Sequence, residues 1–356
     1  MCINLGLYPL VELDNGKRKV LFNYGIAIEN RDFQTLNSYE LSWNNAIRGA
    51  FSLRENFNYA VKKYGVKKFL KYTQVPCGKC EECKKARARG WAFRILKEAE
   101  KYENNYFITF TYDDNFLPIN SFGINTLVKD EMSKFNKKLK TYLKRIGKNS
   151  DFRFYLVGEY GGQTFRPHYH VIYFNLDLPV DDFKLFKYEN GYPTFTSDWL
   201  SNTWSKGFVS IGFVDVGSAC YVARYVDKKL NRSKEEKEFL SNIDIVSEFS
   251  NCSRRPGIGA DFLDKVVSNI KNEIYSCSIR GNDFSLPLYY SKKVKDLLDP
   301  ETLNKYEARN DYLMKIKFNN DLLLSDVLST DLQSYYILED NFRKSCKKVR
   351  DNIKLY

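Results

Sequence analysis

Histidine is almost missing from this chain, with two among 356 residues. Methionine is hardly commoner at three, and proline numbers nine. No run of about 18 apolar residues occurs, so no membrane-spanning helix is expected. The opening stretch, MCINLGLYPLVELDNGKRK, has no basic start, and Pro9, Glu12 and Asp14 interrupt its apolar residues. No secretory signal is expected there. Internal repeats and low-complexity tracts are also absent.

What the chain does carry is positive charge and aromatic rings. Lys and Arg number 56 against 44 Asp and Glu, a formal net charge of +12. That balance points to a polyanionic partner, most often nucleic acid. Tyrosine and phenylalanine number 26 each, and tyrosine can both stack on a base and act as a nucleophile. With 43% hydrophobic residues the chain should fold around real cores. Its length suits about two domains at roughly 150 residues each. Eight cysteines without a signal peptide suggest a reducing compartment, where thiols stay reduced or bind metal.

The pattern along the chain divides it into an N-terminal region (1–103) with a cysteine motif and a basic helix, a core (104–232) and a C-terminal mixed or helical region (233–356). In VPCGKCEECKK, Cys77, Cys80 and Cys83 are spaced to reach one metal, and a tetrahedral structural zinc would take a fourth ligand, for which Cys2 is the candidate. Reduced thiols at the start of a DNA-binding helix are the alternative. Ala88, Trp91, Ile95, Ala99 and Tyr102 then recur at helical spacing, while Lys84, Lys85, Arg87 and Arg89 crowd the helix start and are the candidate phosphate contacts.

YFITFTYDD reads as a strand, and Asn125 or Thr126 is the expected cap of a long amphipathic helix. Its apolar stripe is Val128, Met132, Phe135, Leu139, Tyr142 and Ile146, with Gly147 as its stop. FRFYLVGEY and HYHVIYF are strands around a Gly161-Gly162 turn. GFVSIGFVDV is another, and Ser218 is the expected N-cap of the helix ACYVARYVDKKL. KEEKE at 234–238 reads as a solvated boundary and SRRPGIG at 253–259 as an irregular loop. The five basic residues between Arg343 and Arg350 are either a solvated terminal face or a DNA contact.

The two histidines, His168 and His170, stand two apart on a strand and therefore share a face. Two imidazoles side by side make a divalent-metal pair. Glu159 ends the preceding strand and can close a three-ligand site on that face, with mixed N and O donors suited to Mg²⁺ or Mn²⁺. The bland alternatives are two half-exposed strand histidines and an ordinary strand-end carboxylate. On the helix, Ala219, Val222, Ala223, Val226 and Leu230 form the buried arc, while Tyr221, Tyr225 and Lys228 fall opposite at i, i+4 and i+7. They are either two nucleophilic phenols with a supporting ammonium or amphipathic tyrosines packing at a sheet edge. A phenol near its usual pKa of about 10 is a poor nucleophile unless a metal or cation stabilises the phenolate.

From Pro76 to Gly259 the chain resembles the HUH-superfamily endonucleases, most closely the rolling-circle replication initiators of the Microviridae, gokushovirus type. PCGKCEEC, FITFTYDD, GEYG followed by RPHYH, and YVARYVDKK carry the resemblance, and SRRPGIG recurs in that group. It implies an α+β fold, an antiparallel sheet with flanking helices and the HxH pair on a central strand. It further implies metal ligation by Glu159, His168 and His170, and nucleophilic attack by Tyr221 and Tyr225 with Lys228 orienting the phosphate or phenolate. The reaction implied is nicking and rejoining of DNA through a phosphotyrosine link. Expected partners are single-stranded or melted DNA at a viral origin and a host replication helicase, in the host cell cytoplasm, with no membrane partner. An HUH relaxase or transposase would share the chemistry. A non-catalytic zinc-containing DNA-binding protein would share the charge and the cysteines.

Overall fold

Strand-forming residues pair into separate sheets in this computed structural model, which describes residues 5–21, 62–63, 65–76, 78, 81–189, 191–231, 234–279, 282–310 and 312. The chain divides into two compact units, 1–86 and 87–356. In the first, β1 (Leu5–Leu13) lies between β2 (Arg18–Val20) and β3 (Val66–Pro76), antiparallel to both. Helix α1 (Glu81–Ala99) begins in the first unit and continues into the second.

The second unit is built on a seven-stranded sheet. It contains β4 (Asn105–Thr111), β5 (Arg153–Tyr160), β6 (Pro167–Phe174), β7 (Phe183–Glu189), β8 (Tyr192–Ser197), β9 (Val209–Phe213) and β10 (Phe249–Cys252), in the order β10-β5-β6-β4-β9-β8-β7. Each neighbouring pair is antiparallel. Between and after the strands run α2 (Glu131–Arg145), α3 (Asp198–Trp204), α4 (Val216–Asn231), α5 (Lys234–Asn242), α6 (Phe262–Lys271) and α7 (Leu288–Lys293), with a small hairpin of β11 (Ser276–Ile279) and β12 (Asn282–Ser285). This is the α+β arrangement expected from the sequence. Its outer strand β10 comes from beyond 232, where the expected core ends.

Strand alternation sorts the side chains onto two faces. On one, Tyr106, Ile108, Phe110, Tyr169, Val171 and Tyr173 pack with Met132, Phe135, Leu139 and Leu143 of α2 and with Leu200 and Trp204 of α3. On the other, Tyr155, Val157, Ile172 and Phe174 pack with Ile95 of α1 and with Ala219 and Val222 of α4. The expected buried arc of α4 is present where its side chains are described: Ala219, Val222 and Ala223 are fully buried. Val226 and Leu230 fall on helical residues whose side chains lie outside the described set. The SRRPGIG loop anchors α1 to the sheet. Arg94 Nε donates to the Ile258 carbonyl at 2.9 Å, and the Gly259 N–H donates to Glu98 Oε2 at 2.6 Å. Arg153 in turn pairs with the buried Glu98 at 2.8 Å.

Two helix starts differ from the sequence expectation. Helix α2 begins at Glu131, not at Asn125 or Thr126, so Val128 precedes it. The cause is a pair of sheet phenols. Tyr160 Oη accepts from the Leu127 N–H at 2.9 Å, while Tyr169 Oη accepts from the Val128 N–H at 3.1 Å and donates to the Val128 carbonyl at 2.9 Å. These bonds hold 127–128 against the sheet before the helix can start. Its end follows expectation: Gly147 adopts φ +71°, and the Gly147 and Lys148 N–H groups close onto the Lys144 and Leu143 carbonyls at 3.2 and 2.9 Å. Helix α4 is capped by Asp215, not by Ser218. The Ser218 N–H donates to Asp215 Oδ1 at 2.6 Å and the Asp215 N–H to Ser218 Oγ at 2.8 Å, a reciprocal capping box.

Candidate active site

Register brings the sequence-predicted ligands together. In the β5–β6 pair Glu159 stands opposite His168, and directly opposed residues share a face. Glu159 Oε1 lies 2.7 Å from His168 Nε2 and 2.9 Å from His170 Nε2. Ligand atoms of all three lie within 4.8 Å of one another, and they are the one such group of His, Cys, Asp or Glu among the described residues. Glu159 and His170 are buried, and His168 is half-buried. Burial works to raise the Glu159 carboxyl, but hydrogen bonds from the two imidazoles outweigh it and bring the pKa down to about 2.

The outer nitrogens fix the rings. His168 Nδ1 lies 3.1 Å from the Arg166 carbonyl oxygen, which only accepts, so this nitrogen carries a proton. His170 Nδ1 lies 2.9 Å from Thr109 Oγ1, on the strand paired with β6 at the same register position. Both Nε2 atoms therefore turn towards one carboxylate oxygen. Bonding of His168 to Glu159 without a cation demands a doubly protonated ring. A divalent cation among the three donors leaves both rings neutral, so the residues present fit a Mg²⁺ or Mn²⁺ ion.

Helix α4 crosses this face and supplies the phenol. Tyr221 Oη lies 3.5 Å from Glu159 Oε1 and 3.4 Å from His170 Nε2, and the residue is 39% exposed. Phe107 stacks on His170 with ring centres 5.6 Å apart and meets the Tyr221 ring edge-on at 6.0 Å. Tyr225 and Lys228 lie one and two turns further along α4. Their side chains are outside the described residues.

The remaining expectations are met unevenly. Cys2, Cys77 and Cys80 lie outside the described residues, and Cys83 is buried in the first turn of α1. Lys84, Lys85 and Arg87 are half-buried on that helix, whereas Arg89 is exposed. The basic stretch 343–350 lies outside the described residues. Asp114 pairs with Arg166, not with the triad, and the same guanidinium donates to the Tyr112 carbonyl at 2.8 Å. Sequence reasoning passed over Thr109 and the Arg166 carbonyl. The signal for Thr109 was present in FITFTYDD, because alternation puts Phe107, Thr109 and Thr111 on one face.

GEYG also gains a structural reason. A Cβ on Gly158 would lie 2.9 Å from the Phe249 ring, so glycine lets β10 close over β5 beside Glu159. Among the described residues no helix is long and apolar enough to cross a membrane.

This sheet, with its triad and adjoining helix, lies within a known class. The profile of a family of replication-associated proteins, the one typified by ORF2, matches residues 105–230, which run from β4 into α4. The chain is 32% identical over 244 residues to the replication-associated protein ORF2 of Spiroplasma virus 4, covering 67% of this chain and 73% of that protein. It is 30% identical over 266 residues to the replication-associated protein VP4 of Bdellovibrio phage phiMH2K, covering 74% and 80% respectively. A third relative, the replication-associated protein ORF4 of Chlamydia phage 1, is 30% identical over 237 residues, covering 64% of this chain and 55% of the relative. No solved structure gives a significant match. The chain belongs to the replication-associated proteins of the Microviridae.

Proposed function

We propose that this chain initiates phage DNA replication by nicking and rejoining single-stranded DNA at the origin through a phosphotyrosine intermediate, in the host cell cytoplasm. The observation that carries the reading is the approach of Tyr221 Oη to within 3.5 Å of both Glu159 Oε1 and His170 Nε2. A nucleophile and a metal-binding triad on one sheet face are what phosphodiester transesterification requires.

Glu159, His168 and His170 would hold Mg²⁺ or Mn²⁺, which when bound polarises the scissile phosphate and withdraws charge from its oxygens. The Tyr221 oxygen attacks phosphorus, the bond from phosphorus to the 3′-oxygen breaks, and the phenolic proton ends on the departing 3′-hydroxyl. The DNA 5′-phosphate is then esterified to tyrosine. Attack by a 3′-hydroxyl reverses the step, so rejoining needs no nucleotide cofactor. Tyr225 provides the second phenol for a further cleavage while the first is occupied, and Lys228 supports the phosphate or phenolate. Tyr221, at the triad, makes the first cut.

Denaturing gels with 3′-labelled single-stranded origin DNA test this reading. A covalent protein–DNA adduct is expected with Mn²⁺ or Mg²⁺ and none with EDTA. In Tyr221→Phe the first-turnover adduct should fall roughly a thousandfold or more, with unchanged folding. Folded protein that binds this DNA yet forms no adduct with any divalent metal would leave a binding protein in place of a nickase.

A further inference from the structure

The face that carries the triad continues beyond it, and it ends in exposed aromatic rings. In the β4–β6 pair Thr111 stands opposite His168, and in the β4–β9 pair Phe110 stands opposite Val209. The register carries on past the named strand: the Thr111 N–H donates to the Phe208 carbonyl at 3.0 Å. Phe208 therefore shares the face of Thr111 and His168, two strand spacings or roughly 10 Å from the histidine. Phe186 lies on β7 at the bulge between Leu185 and Lys187, and its ring centre is 5.1 Å from that of Phe208.

Both rings are strongly solvent-exposed, at 51% for Phe186 and 42% for Phe208. Neighbouring strands use phenylalanine to fill the core, as Phe110 and Phe195 do, so two adjacent exposed rings beside the triad are not explained by packing. Lys187 places its ammonium 5.8 Å from the centre of the Phe186 ring. A ring pair with an adjoining cation, on a chain of net charge +12, suits unpaired bases on a phosphate backbone. Recruitment of a partner strand fits less well, because the bulge and the edge lysines Lys184 and Lys187 interrupt β7.

We propose that Phe186 and Phe208 form a stacking platform for bases of single-stranded DNA flanking the phosphate held at the triad. The proposal rests on the functional reading above for its placement of that phosphate. Its test needs no cleavage. The full chain is titrated in EDTA with a fluorescent oligothymidylate and with a matched oligonucleotide in which abasic spacers replace the bases.

The parent chain should bind the thymidylate more tightly than the spacer. Phe186→Ala and Phe208→Ala should each weaken thymidylate binding about tenfold and leave spacer binding unchanged. Phe→Trp at either position should retain the affinity, and Phe→Leu should not. Equal binding by the parent and the double alanine variant, or no preference of the parent for bases over spacers, overturns the platform. Because adduct formation is read separately, a chain that forms no adduct yet shows ring-dependent binding removes the nickase and keeps the platform.

Discussion

The two faces of the seven-stranded sheet are made from the same strands and do different work. Along β6, Tyr169, Val171 and Tyr173 turn one way, into a core roofed by α2 and α3. His168, His170, Ile172 and Phe174 turn the other way, and only Ile172 and Phe174 enter the apolar cluster under α1 and α4. At the other end of that face the side chains are polar, Thr109, Glu159, His168 and His170, with the half-exposed Tyr221 above them. One face is closed by apolar packing along its whole length; the other is closed at one end only. The period-two alternation of a strand is enough to separate stability from chemistry within a single run of eight residues.

Substitutions on opposite faces should therefore fail in different ways. The largest effect is expected from Glu159→Gln, which keeps the side-chain shape and removes the charge that turns both Nε2 atoms towards one point. Adduct formation should become undetectable. The stabilisation that saturating Mn²⁺ gives the parent, about 2.7 kcal/mol at a hundred times Kd, should disappear from thermal melts. The melting temperature in EDTA should not fall by the amount typical of a core substitution. A Mn²⁺-dependent rise in melting temperature that persists in this variant would place the cation elsewhere.

Leu139→Ala reverses the pattern. Leu139 is fully buried under the opposite face, and its truncation should cost about 2–5 kcal/mol in urea unfolding. The adduct yield per folded molecule should stay at the parental level. A drop in that yield under conditions where the variant is fully folded would show that the two faces are coupled.

How much of this could be read from the sequence follows the same division. Spacing of two along a strand gave the His168–His170 pair, and the end of the preceding strand gave Glu159. Helical spacing put Tyr221 on the side of α4 away from Ala219, Val222 and Ala223, where it is found. These are local periodicities. The differences come from contacts between distant residues. The phenols of Tyr160 and Tyr169 hold 127–128, up to 41 residues away in sequence, and delay the start of α2. Pairing of β10 with β5 joins 249–252 to the sheet from beyond the expected core. The neighbourhood of Phe186 and Phe208 is likewise set by β4, β8 and β9 acting together, which no single stretch encodes.

Thr109 offers the finest separation of positioning from packing. Its hydroxyl lies 2.9 Å from His170 Nδ1, and a hydrogen bond at the outer nitrogen fixes the ring orientation and the nitrogen offered to a metal. Thr109→Val keeps the branched shape and removes that partner; Thr109→Ser keeps the hydroxyl and removes a methyl group. If the hydroxyl orients His170, the valine variant should bind Mn²⁺ about 10–100-fold more weakly by calorimetry or electron paramagnetic resonance, while serine should stay near the parent. A packing role predicts the opposite order, because valine preserves the volume that serine loses. Both variants should leave ring-dependent DNA binding in EDTA unchanged, since Phe186 and Phe208 lie further along the sheet.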